Sequence, residues 1–266
     1  MSASAKASPS YLMSAEERRT LARDGYLVRR HVFSKQECAD IAFECEKLVN
    51  KLSALKSSGG KIVFGSYMFE SHDELDTTVK WEPDAPELVQ GLEPFAHLSE
   101  PLMRCGLDPR LADPCKEICG SDEVALFTEK LNLKRANKGG PIVLHQDFPY
   151  WEDFTEAAPR VGTAMIFLDE ATVENGCLEV APGSHTAGKL KQRKAADGGG
   201  SLEMDQEAFD MSRLIPLEVS AGTVAFFGAF LVHRSLPNKS KEDRRALLYS
   251  YQPAGYPHAR ELLRSK

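Results

Sequence analysis

Residues 142–148 of this 266-residue chain are Ile142-Val143-Leu144-His145-Gln146-Asp147-Phe148. The apolar residues that precede His145 predict a β-strand. Side chains alternate between the two faces of a strand, so His145 and Asp147, two positions apart, point the same way. An imidazole and a carboxylate held side by side are the first two ligands of a candidate metal site.

A candidate third ligand follows an unusually apolar stretch, Phe226-Phe227-Gly228-Ala229-Phe230-Leu231-Val232-His233. We expect His233 to end this strand and to reach the first pair from a strand folded back beside it. A structural histidine bonded to backbone groups is the alternative, because an unpaired buried imidazole is costly. Two histidines and one carboxylate are better explained together, as three ligands that leave the opposite face of a metal open.

The spacing of these ligands does not identify the metal. Fe(II) suits two imidazoles and one carboxylate, with three positions left for a co-substrate and dioxygen. Zinc with the same ligands and a water would give a hydrolase. Arg244, which lies eleven residues after His233, favours iron because a guanidinium can hold the far carboxylate of a 2-oxo acid through two hydrogen bonds. The alternative is a surface arginine in the charged run 239–245.

A second polar feature precedes the metal motif. Lys130, Asn132 and Lys134 alternate with two leucines, so they share one face of a predicted strand. Such a face is usually solvent-exposed. In a small barrel that encloses an anionic ligand, the same face would line the pocket.

The first part of the chain predicts helices. Ser14-Ala15-Glu16-Glu17 and Ser34-Lys35-Gln36-Glu37 are capping boxes, which satisfy free backbone N–H groups at a helix start. We predict helices from these boxes to about residues 24 and 55, two more near 92–104 and 110–119, and a brief strand at 26–28. The acidic stretch 70–90, interrupted by Pro83 and Pro86, predicts a loop.

From about residue 124 the pattern changes to short strands. They are predicted at 124–133, 143–148, 161–168, 177–180, 224–227 and 246–251, separated by turn residues such as Asn175-Gly176. Helices followed by many short strands predict an α+β fold whose β part closes as a sandwich or barrel. We expect residues 1–12 to be disordered and residues 13–266 to form a single domain.

The segment 186–212 differs from its surroundings. It is glycine-rich at 198–200 and basic at Lys189, Lys191, Arg193 and Lys194. A long polar insertion in a β fold predicts either a lid over the site or a solvated loop. The basic residues would suit a phosphorylated or CoA-bearing substrate if the segment closes over the pocket.

Composition limits partners and compartment. A formal net charge of −6 argues against a general nucleic-acid binder, which needs a basic surface. The six cysteines lack zinc-finger spacing, and although their even number leaves disulfides open, reduced thiols are favoured. No apolar run reaches the ~20 residues of a membrane span. We therefore expect a cytoplasmic protein with a small-molecule substrate, and the composition leaves its oligomeric state open.

Four ordered stretches together resemble the phytanoyl-CoA dioxygenase family of Fe(II)/2-oxoglutarate oxygenases. They are His145-Gln146-Asp147, Glu174-Asn175-Gly176-Cys177-Leu178, Ala181-Pro182-Gly183-Ser184-His185, and His233 followed by Arg244-Arg245-Ala246. The resemblance runs from about residue 14 to 252, and its ordered combination is far more specific than the first motif alone. It implies a double-stranded β-helix (a jelly roll, cupin-like) with flanking N-terminal helices.

The resemblance also implies roles for individual residues. The iron ligands, which are the catalytic residues, would be His145, Asp147 and His233. Arg244, helped by Ser235, would bind the C5 carboxylate of 2-oxoglutarate. Lys134 falls where related ectoine hydroxylases have a lysine against the co-substrate, and Asn132 is a further candidate on the same face. His185 is interpreted as structural.

The activity implied is hydroxylation of an unactivated C–H bond in a small organic or acyl-thioester substrate. Dioxygen and 2-oxoglutarate would be consumed, with ascorbate as a supporting reductant. Thr128 stands where ectoine hydroxylases read their substrate with a glutamine, which implies a substrate other than ectoine. Two alternatives stay open: a cupin-like zinc hydrolase or isomerase, and a non-catalytic jelly roll that binds a ligand.

Overall fold

The structure is a computed structural model that describes residues 10–55, 57, 59–64, 66–194 and 200–264. Its helices are α1 (Ala15–Asp24), α2 (Lys35–Ser53), α3 (Glu100–Gly106), α4 (Pro109–Cys119), α5 (Phe148–Trp151) and α6 (Ala259–Arg264). Its strands are β1 (Tyr26–Arg29), β2 (Ile62–Phe64), β3 (Tyr67–His72), β4 (Thr77–Glu82), β5 (Ala85–Glu93), β6 (Val124–Lys134), β7 (Ile142–His145), β8 (Gly162–Phe167), β9 (Leu178–Val180), β10 (Gln192–Lys194), β11 (Gly200–Met204), β12 (Ile215–Leu217), β13 (Val224–Gly228), β14 (His233–Ser235) and β15 (Arg244–Pro253). Within the described ranges, no helix is both long and apolar enough to cross a membrane.

Two antiparallel sheets frame the molecule. The larger runs in the order β1-β13-β8-β15-β6-β5-β4-β3-β2, and the smaller in the order β12-β9-β14-β7. On β15, Leu247 and Tyr249 pack with residues of the N-terminal helices, whereas Ala246 and Leu248 pack in the cluster that holds Leu178 of the small sheet. The alternation of β15 therefore buries one face under helices and the other between the sheets.

The two helix starts predicted from capping boxes are confirmed, whereas the helix predicted near 92–104 begins only at Glu100, because β5 extends to Glu93. The hydroxyls of Ser14 and Ser34 each accept a hydrogen bond from the backbone N–H three residues later, and the backbone N–H of each serine donates to the carboxylate of the glutamate at that position. Most of the predicted strands also form, with ends shifted by a few residues. These elements depend on local capping and periodicity, which the sequence carries directly.

The prediction of a loop over 70–90 is wrong, because β3, β4 and β5 occupy most of it. Pro83 lies in the tight turn between β4 and β5. Pro86 lies where the register of these two strands shifts, so the ladder does not need the N–H that proline lacks. The acidic side chains are not all solvated either, since the buried Glu70 accepts a hydrogen bond from Trp81 Nε1 (3.0 Å).

Part of the 186–212 segment has regular structure. Strands β10 and β11 pair with each other, and the buried Met204 and Phe209 pack with Leu144 next to the metal motif. Residues 195–199, which hold most of the predicted glycine hinge, lie outside the described residues, as do residues 1–9 of the predicted disordered N-terminus. Tyr11 has no regular structure, but its N–H donates to the Asp113 carboxylate (3.1 Å).

Candidate metal and co-substrate site

The three predicted metal ligands converge. His145 ends β7, Asp147 follows two residues later, and His233 begins β14, directly opposite His145 in the antiparallel register. The ligand atoms of the three side chains all lie within 4.8 Å of one another, and His145 Nε2 is 3.8 Å from Asp147 Oδ1. All three side chains are buried. A single metal ion at this point would have two imidazoles and one carboxylate on one face.

His233 reaches this point by a route that differs from the prediction. The apolar strand ends at Gly228, and a turn in which Leu231 N–H donates to the Gly228 carbonyl (3.1 Å) takes the chain from the large sheet to the small one. Ser184, from the 181–185 motif, supports this turn because its hydroxyl accepts a hydrogen bond from Val232 N–H (2.9 Å). His185 instead lies 3.3 Å from the Ala22 carbonyl, outside the metal cluster.

Both imidazoles are oriented by backbone carbonyls. Nδ1 of His145 is 2.8 Å from the Val143 carbonyl, and Nδ1 of His233 is 3.0 Å from the Leu231 carbonyl. A carbonyl only accepts, so each Nδ1 donates its proton and each Nε2 keeps a lone pair for a metal. Burial, followed by the neighbouring His233, lowers the pKa of His145 well below its usual range. The imidazole is therefore neutral, as a metal ligand must be.

Arg244 lies in the same cavity as the three ligands. This cavity has a volume of about 350 Å³, and Arg244 is only 1 % exposed. Its Nε and Nη1 have no hydrogen-bond partner among the described residues, and the same holds for the hydroxyl of Ser235, which also lines the cavity. Burial lowers the pKa of Arg244 to about 10. A buried cation with free donors is unfavourable unless an anion pairs with it, so this end of the cavity fits a carboxylate.

The two weaker co-substrate candidates have different surroundings. Asn132 lines the cavity. Lys134 pairs with Arg244 in register across β6 and β15, but its ammonium donates hydrogen bonds to the carbonyls of Gly140 and Leu236, and Lys134 is not among the cavity-lining residues. Burial and the Arg244 charge lower the pKa of Lys134 to about 6. Its contacts therefore position the backbone next to Ser235.

The rest of the cavity is aromatic and charged. Lys130 Nζ lies 3.8 Å from Asp147 Oδ1 and 3.7 Å from Glu93 Oε1. Burial opposes the charged form of this lysine, but the two carboxylates outweigh it and raise its pKa. Tyr150 and Trp151, which follow the metal motif, line the cavity, whereas Phe148 stacks on Phe230 with ring centroids 4.6 Å apart and is not among the lining residues.

Several lining residues were missed by the sequence analysis. They come from β3, β4 and β5, and they are Tyr67, Phe69, Thr78, Lys80, Gly91 and Glu93. Tyr67 and Phe69 lie in a stretch, 61–69, whose alternation does predict a strand, whereas β4 and most of β5 lie in the stretch that predicted a loop, so the local pattern did not assign Thr78 and Lys80 to one face. The alternation within β4, once its strand character is known, is the signal that would place Thr78 and Lys80 together.

Lys189, Lys191 and Arg193 of segment 186–212 are not among the cavity-lining residues. Lys189 forms an ion pair with Glu152, and Lys191 lies 3.2 Å from Asp205. No described residue of the segment is among the cavity-lining residues. The hypothesis that these cations receive a CoA or phosphate group gains no support.

Comparisons with known proteins agree with this site. The profile of the phytanoyl-CoA dioxygenase family (PhyH) matches residues 21–246. Phytanoyl-CoA dioxygenase domain-containing protein 1 of Bos taurus is 24% identical over 275 residues, which cover 93% of this chain and 90% of that protein. L-Proline trans-4-hydroxylase of Streptomyces griseoviridis is 31% identical over 187 residues, which cover 63% of this chain and 67% of that protein.

Solved structures confirm the predicted fold. The crystal structure of EctD from S. alaskensis with 2-oxoglutarate and 5-hydroxyectoine aligns with a TM-score of 0.70 at 23% identity, covering 94% of this chain and 79% of that one. The 2-oxoglutarate-dependent carbocyclase SnoK from nogalamycin biosynthesis aligns with a TM-score of 0.67 at 20% identity, covering 91% of this chain and 85% of that one. The fold is therefore the double-stranded β-helix with flanking helices.

Family membership and site chemistry lead to the same conclusion. Two imidazoles and a carboxylate fit Fe(II), and the unpaired donors of Arg244 fit the free carboxylate of a 2-oxo acid. The comparisons fit this interpretation and do not fit the zinc hydrolase or the non-catalytic binding protein. The chain belongs to the phytanoyl-CoA dioxygenase family and is an Fe(II)- and 2-oxoglutarate-dependent dioxygenase.

Proposed function

We propose that this enzyme hydroxylates a small organic substrate in the cavity described above, with iron held by His145, Asp147 and His233. Arg244 and Ser235 bind the C5 carboxylate of 2-oxoglutarate, and Asn132 contacts the co-substrate from β6. Lys134 acts indirectly, by fixing the Leu236 carbonyl next to Ser235. The observation that carries this proposal is a buried guanidinium with unpaired donors in the same cavity as the His-Asp-His cluster.

When bound, iron and 2-oxoglutarate supply dioxygen activation and removal of hydrogen from a C–H bond. The residues of this chain supply the rest. The carbonyls of Val143 and Leu231 hold both imidazoles in the metal-binding tautomer. The aromatic walls at Tyr150 and Trp151 exclude water, which strengthens the ion pair between Arg244 and the co-substrate.

Relatives support a small substrate. The names of three relatives give methylphosphonate, L-proline and ectoine as substrates, whereas another relative is named for phytanoyl-CoA. A cavity of about 350 Å³ is at the small end for ligand sites and favours the smaller substrates. Thr128, which stands where ectoine hydroxylases have a glutamine, argues against ectoine itself as the substrate. We therefore propose a compact substrate that enters whole rather than a bulky acyl thioester.

The test is succinate formation by purified enzyme with Fe(II), ascorbate and 2-oxoglutarate, screened over amino acids, phosphonates, short carboxylic acids and, for comparison, acyl-CoA thioesters. We expect succinate release above the substrate-free rate with at least one compound, together with a product heavier by one oxygen atom. If the compounds that stimulate succinate release are exclusively acyl-CoA thioesters, the proposed substrate class is wrong.

We also propose that the enzyme works in the cytoplasm. All six cysteines are buried and free of disulfide bonds, which suits a reducing compartment. Thiol alkylation in rapidly acidified, denatured cell extracts should label all six cysteines. Recovery of a disulfide-linked pair from such extracts would contradict this proposal.

A further inference from the structure

Lys80 places a positive charge in the cavity, and neither the proposed iron site nor the proposed 2-oxoglutarate site uses this charge. It lies on β4 and lines the same cavity as the metal ligands. Its ammonium nitrogen lies 3.5 Å from the centroid of the Tyr67 ring. Among the described residues, this nitrogen has no recorded hydrogen bond or ion pair with a protein group.

The nearest carboxylates are already engaged. Glu93 accepts a hydrogen bond from the Thr128 hydroxyl (3.2 Å) and lies 3.7 Å from Lys130 Nζ. Glu82 accepts hydrogen bonds from Gln90 and from the Gly140 N–H, both at 2.9 Å. Neither carboxylate is within hydrogen-bond distance of Lys80. Burial, followed by the charge of Lys130, lowers the pKa of Lys80 to about 7, as expected for a cation without an anionic partner.

The backbone around Lys80 keeps the space in front of it open. Lys80 pairs in register with Gly91, which in turn pairs with Asn132 on β6. A Cβ at Gly91 would lie 2.6 Å from the Leu131 carbonyl oxygen, so this position cannot carry a side chain without a shift. Lys80 and Asn132 therefore line one cavity without a side chain between them on β5.

Charge balance points to the missing partner. With the proposed ligands bound, the charges of iron, Asp147, 2-oxoglutarate and Arg244 cancel, and Lys130 is balanced by Glu93. Lys80 is left without an ion-pair partner, because Glu82, the other nearby carboxylate, is held by Gln90 and the Gly140 N–H. A positive charge that lines a cavity in this way is stabilised by an anion held close to it.

We infer that the primary substrate is an organic acid whose carboxylate or phosphonate group pairs with Lys80 while its apolar part lies against the aromatic walls. Tyr67 keeps the ammonium in place, since its ring contacts Lys80 and its hydroxyl accepts a hydrogen bond from Val143 N–H (3.3 Å). This inference rests on the proposed function and names the substrate class of the same site.

The test measures binding to the Fe(II)·2-oxoglutarate enzyme under anaerobic conditions, by calorimetry. The probes are phenylacetate, benzylphosphonate and the neutral phenylacetamide. We expect the wild type to bind at least one acid about tenfold or more tightly than the amide. The acid that binds more tightly distinguishes a carboxylate from a phosphonate.

Two variants test whether the tighter binding of the acids depends on Lys80. Lys80→Met should weaken acid binding by about tenfold and leave the dissociation constants of the amide and of 2-oxoglutarate unchanged. Lys47→Met is the matched control, because Lys47 also contacts an aromatic ring, that of Phe43, but lies outside the cavity. This control should bind all probes like the wild type.

The inference is overturned if the wild type does not prefer either acid over the amide, a result that needs no variant. It is also overturned if Lys80→Met weakens 2-oxoglutarate binding instead of acid binding, or if the acids displace 2-oxoglutarate. The visible charge-transfer band of the Fe(II)·2-oxoglutarate complex separates the two proposals. If the band forms but the wild type binds neither acid more tightly than the amide, the inference alone fails. A missing band instead contradicts the proposed function.

Discussion

His145 and His233 stand opposite each other on neighbouring antiparallel strands, and the centroids of their rings are 4.2 Å apart. Each ring donates Nδ1–H to the carbonyl two residues before it. The small sheet therefore sets the separation of the two imidazoles, and the backbone sets their tautomer. Only the carboxylate of Asp147 comes from beyond the end of a strand.

Loss of His233 should remove iron binding without unfolding the protein. We expect His233→Ala to weaken Fe(II) affinity by well over tenfold, since one of three protein ligands is lost. His185→Ala is the control, because His185 contacts the Ala22 carbonyl outside the cluster. Anaerobic Fe(II) titration followed by calorimetry measures both. Equal affinities in the two variants would exclude His233 as a ligand.

Loss of the Arg244 side chain should weaken the binding of 2-oxoglutarate. Hydrogen bonds to charged groups are worth about 1.5–3 kcal/mol, so Arg244→Ala should raise the KM for 2-oxoglutarate by about tenfold or more. Arg244→Lys should recover only part of the affinity, because lysine cannot form the two parallel bonds of a guanidinium. Arg213→Ala, which removes an arginine that contacts Phe209 outside the cavity, should leave this KM unchanged. An unchanged KM in Arg244→Ala would remove Arg244 from the site.

Gln146, between the two proposed metal ligands His145 and Asp147, should be a stability determinant. Its side chain is fully buried, donates to the carbonyls of Gly188 and Phe230, and accepts from Leu190 N–H. Alanine would leave these groups unpaired at about 1–3 kcal/mol each. Urea denaturation should show a loss of at least about 3 kcal/mol for Gln146→Ala. Gln36→Ala, at an exposed position, should be close to neutral, and similar losses in both variants would contradict this role.

Lys134 should make stability depend on pH. Burial and Arg244 lower its pKa to about 6 in the folded protein, against about 10.4 in an unfolded chain. Between these values the unfolded state binds more protons, so this group makes the free energy of unfolding rise with pH above about 6.

The variant Lys134→Met should lack this contribution. Relative to it, the free energy of unfolding of the metal-free wild type should rise by up to about 1.4 kcal/mol per pH unit between about pH 6.5 and 8.5. The comparison uses the slope, because the two lost hydrogen bonds to Gly140 and Leu236 shift the stability equally at every pH. Parallel pH profiles would show that Lys134 keeps its ordinary pKa.

Local sequence signals predicted the features that depend on few residues. The capping boxes at Ser14 and Ser34 form as predicted. His145 and Asp147 lie together as predicted, but Asp147 follows the end of β7 instead of lying within the strand. Ordered motifs also predicted the fold. For the capping boxes and the His145–Asp147 pair, the decisive contacts lie within a few positions of the residues that signal them.

Long-range pairing determined what the sequence did not show. Lys80 and Glu93 line the cavity because β4 and β5 extend the large sheet, and proline and acidic residues hide that strand character. The carbonyl partners of Lys134 come from turns 6 and 102 residues away. After Gly228 the chain passes from the large sheet to the small sheet, where His233 pairs with β7 and β9. This pairing is also long-range.

Anaerobic titration with Fe(II) and 2-oxoglutarate, followed by visible absorption, is the most direct test of the central claim. The His145-Asp147-His233 cluster and Arg244 should together produce the weak charge-transfer band of a 2-oxo acid chelated to Fe(II), and the band should be absent in Asp147→Ala. A wild-type protein that binds Fe(II) but gives no band with saturating 2-oxoglutarate would contradict the account.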